Sequence, residues 1–471
     1  MTMPSWSIYL TFSLSSALPV CCSAFRSSKA DGSVSSPIFH NEFASSIQGL
    51  MHYHSPLTVS GMSSSIRSNQ SQSAHTMHPV PSYLLARASV ALAVFAALLG
   101  STAPSPLYPT YLQTFSLSHA MVTEIFATYA LGTLVALLVS SRIGSSVTDP
   151  RRMMLPGLVI TAAGALTFAF ANDVTMLLAG RFLNGIGTGG ITAMASASLY
   201  ELSPPHKRGQ AAILATLAFT GGAAGGPLMS SAAMALNFAP TVSPFLFIVV
   251  VSCVAGLGLA VSSWPDWRMQ GVAKSGEDDP EERSRAVIPL FVLSCLAVGI
   301  AWMLGSFIMA VGADLGKKLY GLQGAGLAGM IAAIFQLFAG LGQALCGRAG
   351  PRRSIGAGLV GIIVVQLVLL ALAGSRHGYL VLGLMAACGF AYGACFVGAL
   401  GLASSSASRA RRATYISGFY IVGYLLNALP TLAMGLLIDR IGLGNAFDVF
   451  GLVVVLIAAA GLVLTWAVRR Y

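Results

Sequence analysis

From Tyr83 onward the chain is a succession of long apolar runs broken by short polar turns. A helix needs about 20 apolar residues to cross roughly 30 Å of hydrocarbon. Lipid offers the backbone no hydrogen-bond partner, so a crossing run has to satisfy itself as a helix. The pattern predicts spans over residues 86–106, 122–141, 155–171, 175–200, 210–234 and 243–263. After a break these continue over 287–311, 323–346, 355–374, 378–402, 413–437 and 446–468. Strands of about ten alternating residues, the signature of a membrane barrel, are not seen. The break is residues 264–286, the one long polar stretch after Pro79, with six acids (Asp266, Glu277, Asp278, Asp279, Glu281, Glu282) against four bases. It reads as a solvated linker joining a bundle over 83–263 to one over 287–471.

The two bundles echo each other. Pro150-Arg151-Arg152 leads into Gly157-Leu158, and Pro351-Arg352-Arg353 leads into Gly358-Leu359 with the same spacing. Leu99-Gly100-Ser101 in span 1 matches Leu304-Gly305-Ser306 in span 7, and Pro227 in span 5 stands opposite Pro430 in span 11. The fold class expected is an all-α integral membrane protein, with twelve helices in two six-helix pseudo-repeats around a central cavity. Transporters use that arrangement to bind cargo at the midplane and rock between two openings.

Composition agrees: 55% of residues are apolar, 9% are charged and mean hydropathy is +0.76, whereas soluble domains carry about 25% charged residues. The net charge of +11 does not point to nucleic acid, because the basic residues sit in the turns and form no single patch. Their distribution sets the orientation instead. Alternate turns hold Arg142, Arg151, Arg152, Lys207, Arg208, Arg268, Lys274, Arg283, Arg285, Arg348, Arg352, Arg353, Arg409, Arg411, Arg412, Arg469 and Arg470. The turns on the opposite side hold Lys317, Lys318, Arg376 and Arg440. Such a bias places the first set, and both termini, in the cytoplasm.

Residues 1–82 are rich in Ser and hold five of the eight His. They read as a disordered tail, with Met62 or Met77 as the functional start. Its apolar patch Ile8–Phe25 has no Lys or Arg before it and no convincing cleavage site after it, so it does not fit a signal peptide. The cysteines show no metal or disulfide spacing, and no metal site or cofactor is expected.

In span 4, Arg181-Phe-Leu-Asn184-Gly185-Ile-Gly187 resembles the Arg-x-x-Gln-Gly-x-Gly of the major facilitator superfamily, with Asn for Gln. In span 5, Gly222-x-x-x-Gly226-Pro227 resembles the core of the motif of that family's proton-coupled exporters, though Ile213 and Ser230 stand where the full pattern has glycines. The turn between spans 2 and 3 keeps Gly144, Asp149, Arg151 and Arg152 of the family's gating loop, slightly out of register. Arg352 and Arg353 repeat the pair in the second half. A better copy, Gly435-Leu-Leu-Ile-Asp439-Arg440-Ile-Gly442, falls on the opposite side and reads as a plain helix end. The resemblance runs from about Tyr83 to the end, and implies the fold above and alternating-access transport by a monomer.

Arg181 is the sharpest site. A guanidinium in an apolar span costs roughly 2.5–3.5 kcal/mol on insertion scales, so it is expected to face protein or a watery cavity. There it would tune a carboxylate or hold an anionic cargo as a fixed charge; the alternative is that it snorkels to the interface. Glu124 and Asp314, at outer span ends, are candidate proton-exchanging acids, and Glu124 is the first partner to consider for Arg181. Tyr108, Trp302, Gln336, Tyr392, Tyr420 and Asn427 are candidate cavity residues. The glycine pairs Gly185/Gly189, Gly222/Gly226 and Gly389/Gly393 read as close helix contacts, and Pro227 as a kink.

The function expected is proton-coupled export of a small organic molecule, with uptake of a metabolite as the alternative. An enzyme is disfavoured, since the chain has no His-Glu-x-x-His, nucleophile elbow, phosphate loop or paired acids within one span. A sensor would call for a folded polar domain that the sequence lacks.

Overall fold

The computed structural model describes residues 83–143, 149–204, 208–265, 284–324, 326–375, 377–406 and 412–468. Among them lie twelve long helices: α1 (Leu84–Thr102), α2 (His119–Ile143), α3 (Arg151–Ala169), α4 (Val174–Glu201), α5 (Arg208–Ala235), α6 (Ser243–Val261), α7 (Ser284–Lys318), α8 (Met330–Cys346), α9 (Pro351–Ala371), α10 (Gly378–Ser406), α11 (Arg412–Ile441) and α12 (Leu443–Ala467). The expectations for the tail 1–82, for most of the linker and for Gly144 fall outside the described residues.

Eleven of the twelve are long and apolar enough to cross a membrane by length and composition. The exception is α4, where Arg181, Asn184 and five glycines dilute the apolar character that its length alone would give.

Several span limits need correction. The first span was expected to run to 106, but α1 stops at Thr102 and is followed by a 3-10 turn, Ser105–Leu107, and a short helix, Tyr108–Thr114. Pro104, Pro106 and Pro109 lack the amide hydrogens that a continuous helix would need there. The seventh span was expected to end at 311, but α7 continues to Lys318. Two of the charges that suggested a boundary are paired, with Lys318 Nζ 2.9 Å from Asp314 Oδ2 one turn earlier. Helix α8 starts at Met330, seven residues later than expected. At Gly442 the backbone turns left-handed (φ 82°), so that α12 leaves α11 after a single residue; glycine takes that conformation without a Cβ clash.

Each half has a hub. Helix α1 packs on α3, α4, α5 and α6, and α7 packs on α8, α10, α11 and α12. The other pairings also repeat: α2 with α4 and α8 with α10, α3 with α4 and α9 with α10, α3 with α6 and α9 with α12. Small residues set these approaches. A Cβ on Gly187 would meet Thr161 and the carbonyl of Gly157 on α3, and one on Gly185 would meet the Tyr129 carbonyl on α2. In the second half, Gly389 and Gly393 press on the Phe335 and Ala339 carbonyls of α8. The packing expected for the glycine pairs is present, and dispersion contacts of this kind hold helices together in lipid.

The halves meet along α2 with α11 and α5 with α8. The contacts described below lie at mid-depth or toward the end opposite the linker, here called the far side. One buried apolar cluster there combines Leu107, Tyr108, Phe168, Leu177 and Met234 of the first half with Leu304, Phe307, Phe335 and Phe447 of the second. At the linker side, Met154, Leu158, Ile191, Leu199 and Leu259 form a separate cluster within the first half. The halves are thus sealed at the far side.

Candidate functional site

Helix α4 presents a polar stripe to α1, built on the helical spacing 181, 184, 188. Asp173 caps the helix, its carboxylate accepting from the Met176 amide at 2.8 Å. Two turns further in, Arg181 is completely buried (0% exposed). Its Nη1 donates to the Ser101 carbonyl of α1 at 2.6 Å. The guanidinium carbon lies 5.5 Å from the ring centre of Phe126 and 5.1 Å from that of Tyr129, both on α2, within the range of cation–π attraction. Nε and Nη2 find no acceptor among the described residues, and the buried hydroxyls of Tyr108 and Tyr111 are likewise unpaired. Tyr108 is near enough to interact electrostatically with the guanidinium, yet no well-formed hydrogen bond joins them.

Arg181 therefore does not snorkel; it sits in protein. Nor does Glu124 partner it. Glu124 is exposed on α2, and Arg181 ion-pairs with no acid among the described residues. Asn184 is buried against α1, where its amide would touch a Cβ on Gly100. The Thr188 hydroxyl donates to the Asn184 carbonyl at 2.8 Å and lies 3.2 Å from the Ala97 carbonyl of α1. Asn184 and Thr188 thus clamp α4 to α1. Thr188 was not singled out from the sequence, although its spacing from Arg181 carries the signal.

Gly222 and Gly226 bring α5 onto α1, their faces against the Phe95 and Leu99 carbonyls and the Thr102 hydroxyl. Pro227 follows inside the helix. Ser230, which departs from the expected glycine pattern, is buried and donates to the Ala103 carbonyl at 2.7 Å.

Three cavity candidates of the second half come together with neighbours that the sequence did not indicate. Trp302 on α7 lies 6.0 Å from Phe396 on α10, and 6.2 and 4.9 Å from Tyr420 and Tyr424 on α11. Tyr392 stacks on Phe396 at 6.5 Å. All five are half-buried, as are Gln336 and Asn427, whereas Tyr108 is fully enclosed.

Asp314 joins a far-side cluster. Its Oδ2 is 3.1 Å from His119 Nε2 on α2, in the other half. The Asp439 expectation is corrected here. Far from being a plain helix end, Asp439 accepts from the His119 and Ala120 amides at 2.9 Å and so caps α2 across the interface; the exposed amides of a helix start favour such a carboxylate. Gly435, one turn earlier, lies against Thr123 and Ala120.

The profile of the Major Facilitator Superfamily matches residues 90–429. The chain belongs to the major facilitator superfamily. It is a multi-pass membrane protein. A stretch of 142 residues is 28% identical to an uncharacterised MFS-type transporter of Mycobacterium tuberculosis, covering 29% of this chain and 24% of that protein. Another of 141 residues is 30% identical to an acurin A biosynthesis cluster MFS-type transporter of Aspergillus aculeatus, covering 30% and 25%. The matched region thus spans about a quarter of those relatives. Among solved structures, a bacterial homologue of the human lysosomal transporter Spinster, inward-facing and unoccupied, superposes with TM-score 0.64 at 18% identity over 83% of this chain and 98% of the other. A POT family transporter bound to a thioalcohol-conjugated peptide gives 0.63 at 16%, covering 81% and 96%. At such identity these two establish a shared fold.

On the linker side, Asp149, Arg151 and Arg152 lie at the start of α3. Asp149 receives the Arg151 side chain through Nε at 2.9 Å and Nη2 at 2.9 Å, and the Arg151 amide at 2.9 Å. Partial burial works against its charge, but the Arg151 hydrogen bonds and the Arg151 and Arg152 charges hold its carboxyl below the ordinary value. Arg151 also lies 5.6 Å from the Trp264 ring. Arg152 and Arg353 are exposed and Arg352 is half-buried. Asp149 is engaged within its own half, while the inter-half carboxylate contacts sit at the far side.

Proposed function

We propose that this transporter exports a small organic molecule across the cytoplasmic membrane in exchange for protons, by alternating access, as a monomer with both termini in the cytoplasm. The observation that carries the reading is Arg181. It is a permanently charged, fully buried guanidinium with two unpaired nitrogens, on the helix that lines its half against the hub α1. A charge held at that cost suits coupling or anion binding. The exporter-type glycines Gly222 and Gly226, with Pro227, support the direction, since they press α5 onto α1 where a change of helix angle would close or open the passage. The aromatic group around Trp302 suits a moderately apolar cargo, and the Aspergillus relative is named for a biosynthesis cluster. Uptake is the second reading. A 92-residue stretch is 36% identical to a sugar transport protein of Oryza sativa, over 20% of this chain and 17% of that protein, which suits a small polar metabolite as cargo in that reading.

Counterflow of candidate cargoes in proteoliposomes, with and without a pH gradient, tests the exchange. Export predicts cargo moving against an imposed proton gradient, and co-directional movement of cargo and protons would replace it with uptake. Reporters fused near Gly276 and at Tyr471 are both expected to read cytoplasmic, and a signal from the opposite side at either site would break the twelve-span orientation.

A further inference from the structure

At the far side one imidazole bridges the two halves. His119, the first residue of α2, directs Nε2 at Asp314 Oδ2 on α7 (3.1 Å) and Nδ1 at Asp439 Oδ1 on α11 (3.2 Å). Lys318 Nζ shares the Asp314 oxygen at 2.9 Å. Asp439 is further anchored by the His119 and Ala120 amides.

The ring's two contacts make a demand on protonation. A neutral imidazole has one N–H and one lone pair, so whichever tautomer it adopts, one nitrogen would turn its lone pair to a carboxylate oxygen. The imidazolium alone donates to both. Charge gives the same answer. Asp314, Asp439 and Lys318 together carry one net negative charge, which the ring's proton cancels. The remaining charged groups around the site do not compensate. Arg440 beside Asp439, Glu124 further along α2 and Asp448 on α12 are exposed, and Lys317 is half-buried. None of them forms an ion pair with His119, Asp314 or Asp439 among the described residues.

We propose that His119 is a proton-binding site of the transport cycle, whose protonated ring latches the far side shut by joining α2 to α7 and α11 and whose deprotonation releases it. The proposal rests on the proton-coupled reading above and adds where a proton acts. Histidine ordinarily titrates between about pH 5 and 8, the range in which such a latch would be useful. By linkage, the far-side-closed state binds this proton more tightly than the open state, so acid favours closure.

The test measures conformation in the full chain, reconstituted in lipid without cargo or gradient. Spin labels at Gln113 in the first half and Asn445 in the second, in a background free of the seven native cysteines, report the far-side separation. Between about pH 5.5 and about pH 8 the short-distance population is expected to give way to a longer one, with the ratio changing by up to about tenfold per pH unit for one linked proton. In His119→Gln the ratio is expected to be independent of pH, and His119→Lys, a fixed cation, keeps the short distance throughout. Asp439→Asn enlarges the long-distance population at both pH values, and it carries the test should His119→Gln fail to insert. An unchanged pH dependence in His119→Gln, or a wild type without one, overturns the proposal. A pH-dependent separation without pH-driven transport would uphold the latch and sink the exchange; pH-driven transport with a pH-independent separation would sink the latch alone.

Discussion

Arg181 was legible from the chain because a charge inside an apolar run has few acceptable explanations. Its neighbours were not, since Ser101, Phe126 and Tyr129 come from helices whose packing no local pattern encodes. Complete burial also changes how the residue has to be probed. Truncation to Ala would leave a cavity as well as remove a charge, so Arg181→Met, of similar volume, is the cleaner variant. It is expected to keep or raise the melting temperature, because replacing a buried, underpaired charge with an apolar side chain of similar size is often neutral or stabilising. Gradient-driven transport is expected to fall by about tenfold or more, the equivalent of one charge-assisted hydrogen bond. Arg181→Lys restores the charge and loses the planar fork, so little rescue points to two-point holding of a carboxylate and good rescue to charge alone. Wild-type transport in Arg181→Met would leave the residue without a role in coupling. His119 shows the opposite case. It opens a span as an ordinary polar residue, and its carboxylate partners lie 195 and 320 positions away.

Helices could be read as long apolar runs, and all twelve were found, because one physical requirement, backbone satisfaction in lipid, dominates every span. Their ends were harder. Asp314, Lys317 and Lys318 looked like a boundary, but Asp314 pairs with Lys318 within α7 and with His119 on α2, which lets the helix carry those two charges. Helix contacts, by comparison, were partly legible from small residues at spacing four. Gly393 and Gly383 lie on the same helix and separate packing from composition. A Cβ on Gly393 would strike the Ala339 carbonyl of α8, whereas nothing lies within 4 Å of one on Gly383. Gly393→Ala is therefore expected to cost about 1–3 kcal/mol through overpacking, seen as a lower melting temperature in detergent. Gly383→Ala should melt as the wild type does, and equal melting of the two variants would remove the close α8–α10 contact from the account.

At the scale of the molecule, the repeat in the sequence announced two bundles, but which end of the passage is sealed follows from contacts between halves. These arise from Gly435 against Thr123 and Gly326 and Gly329 against Ser231, pairs with no common local signal. Bridging Gln113→Cys and Asn445→Cys, both exposed on the far side, with a reducible bifunctional thiol reagent is expected to stop counterflow and release it on reduction. Persistent counterflow in the cross-linked protein would mean that this seam does not part during transport. The seam is also largely hydrocarbon, built from Leu107, Leu304, Phe307 and their neighbours, while the linker-side turns carry Arg151, Arg152, Arg352 and Arg353. Opening the first and closing the second exchanges buried apolar surface for contacts of another kind, so the two states should differ in heat capacity. Apolar association weakens on cooling. Temperature thus becomes a second control on the same equilibrium: a chilled protein at constant pH should spend more of its time open to the far side, and its ratio of states, plotted against inverse temperature, should curve.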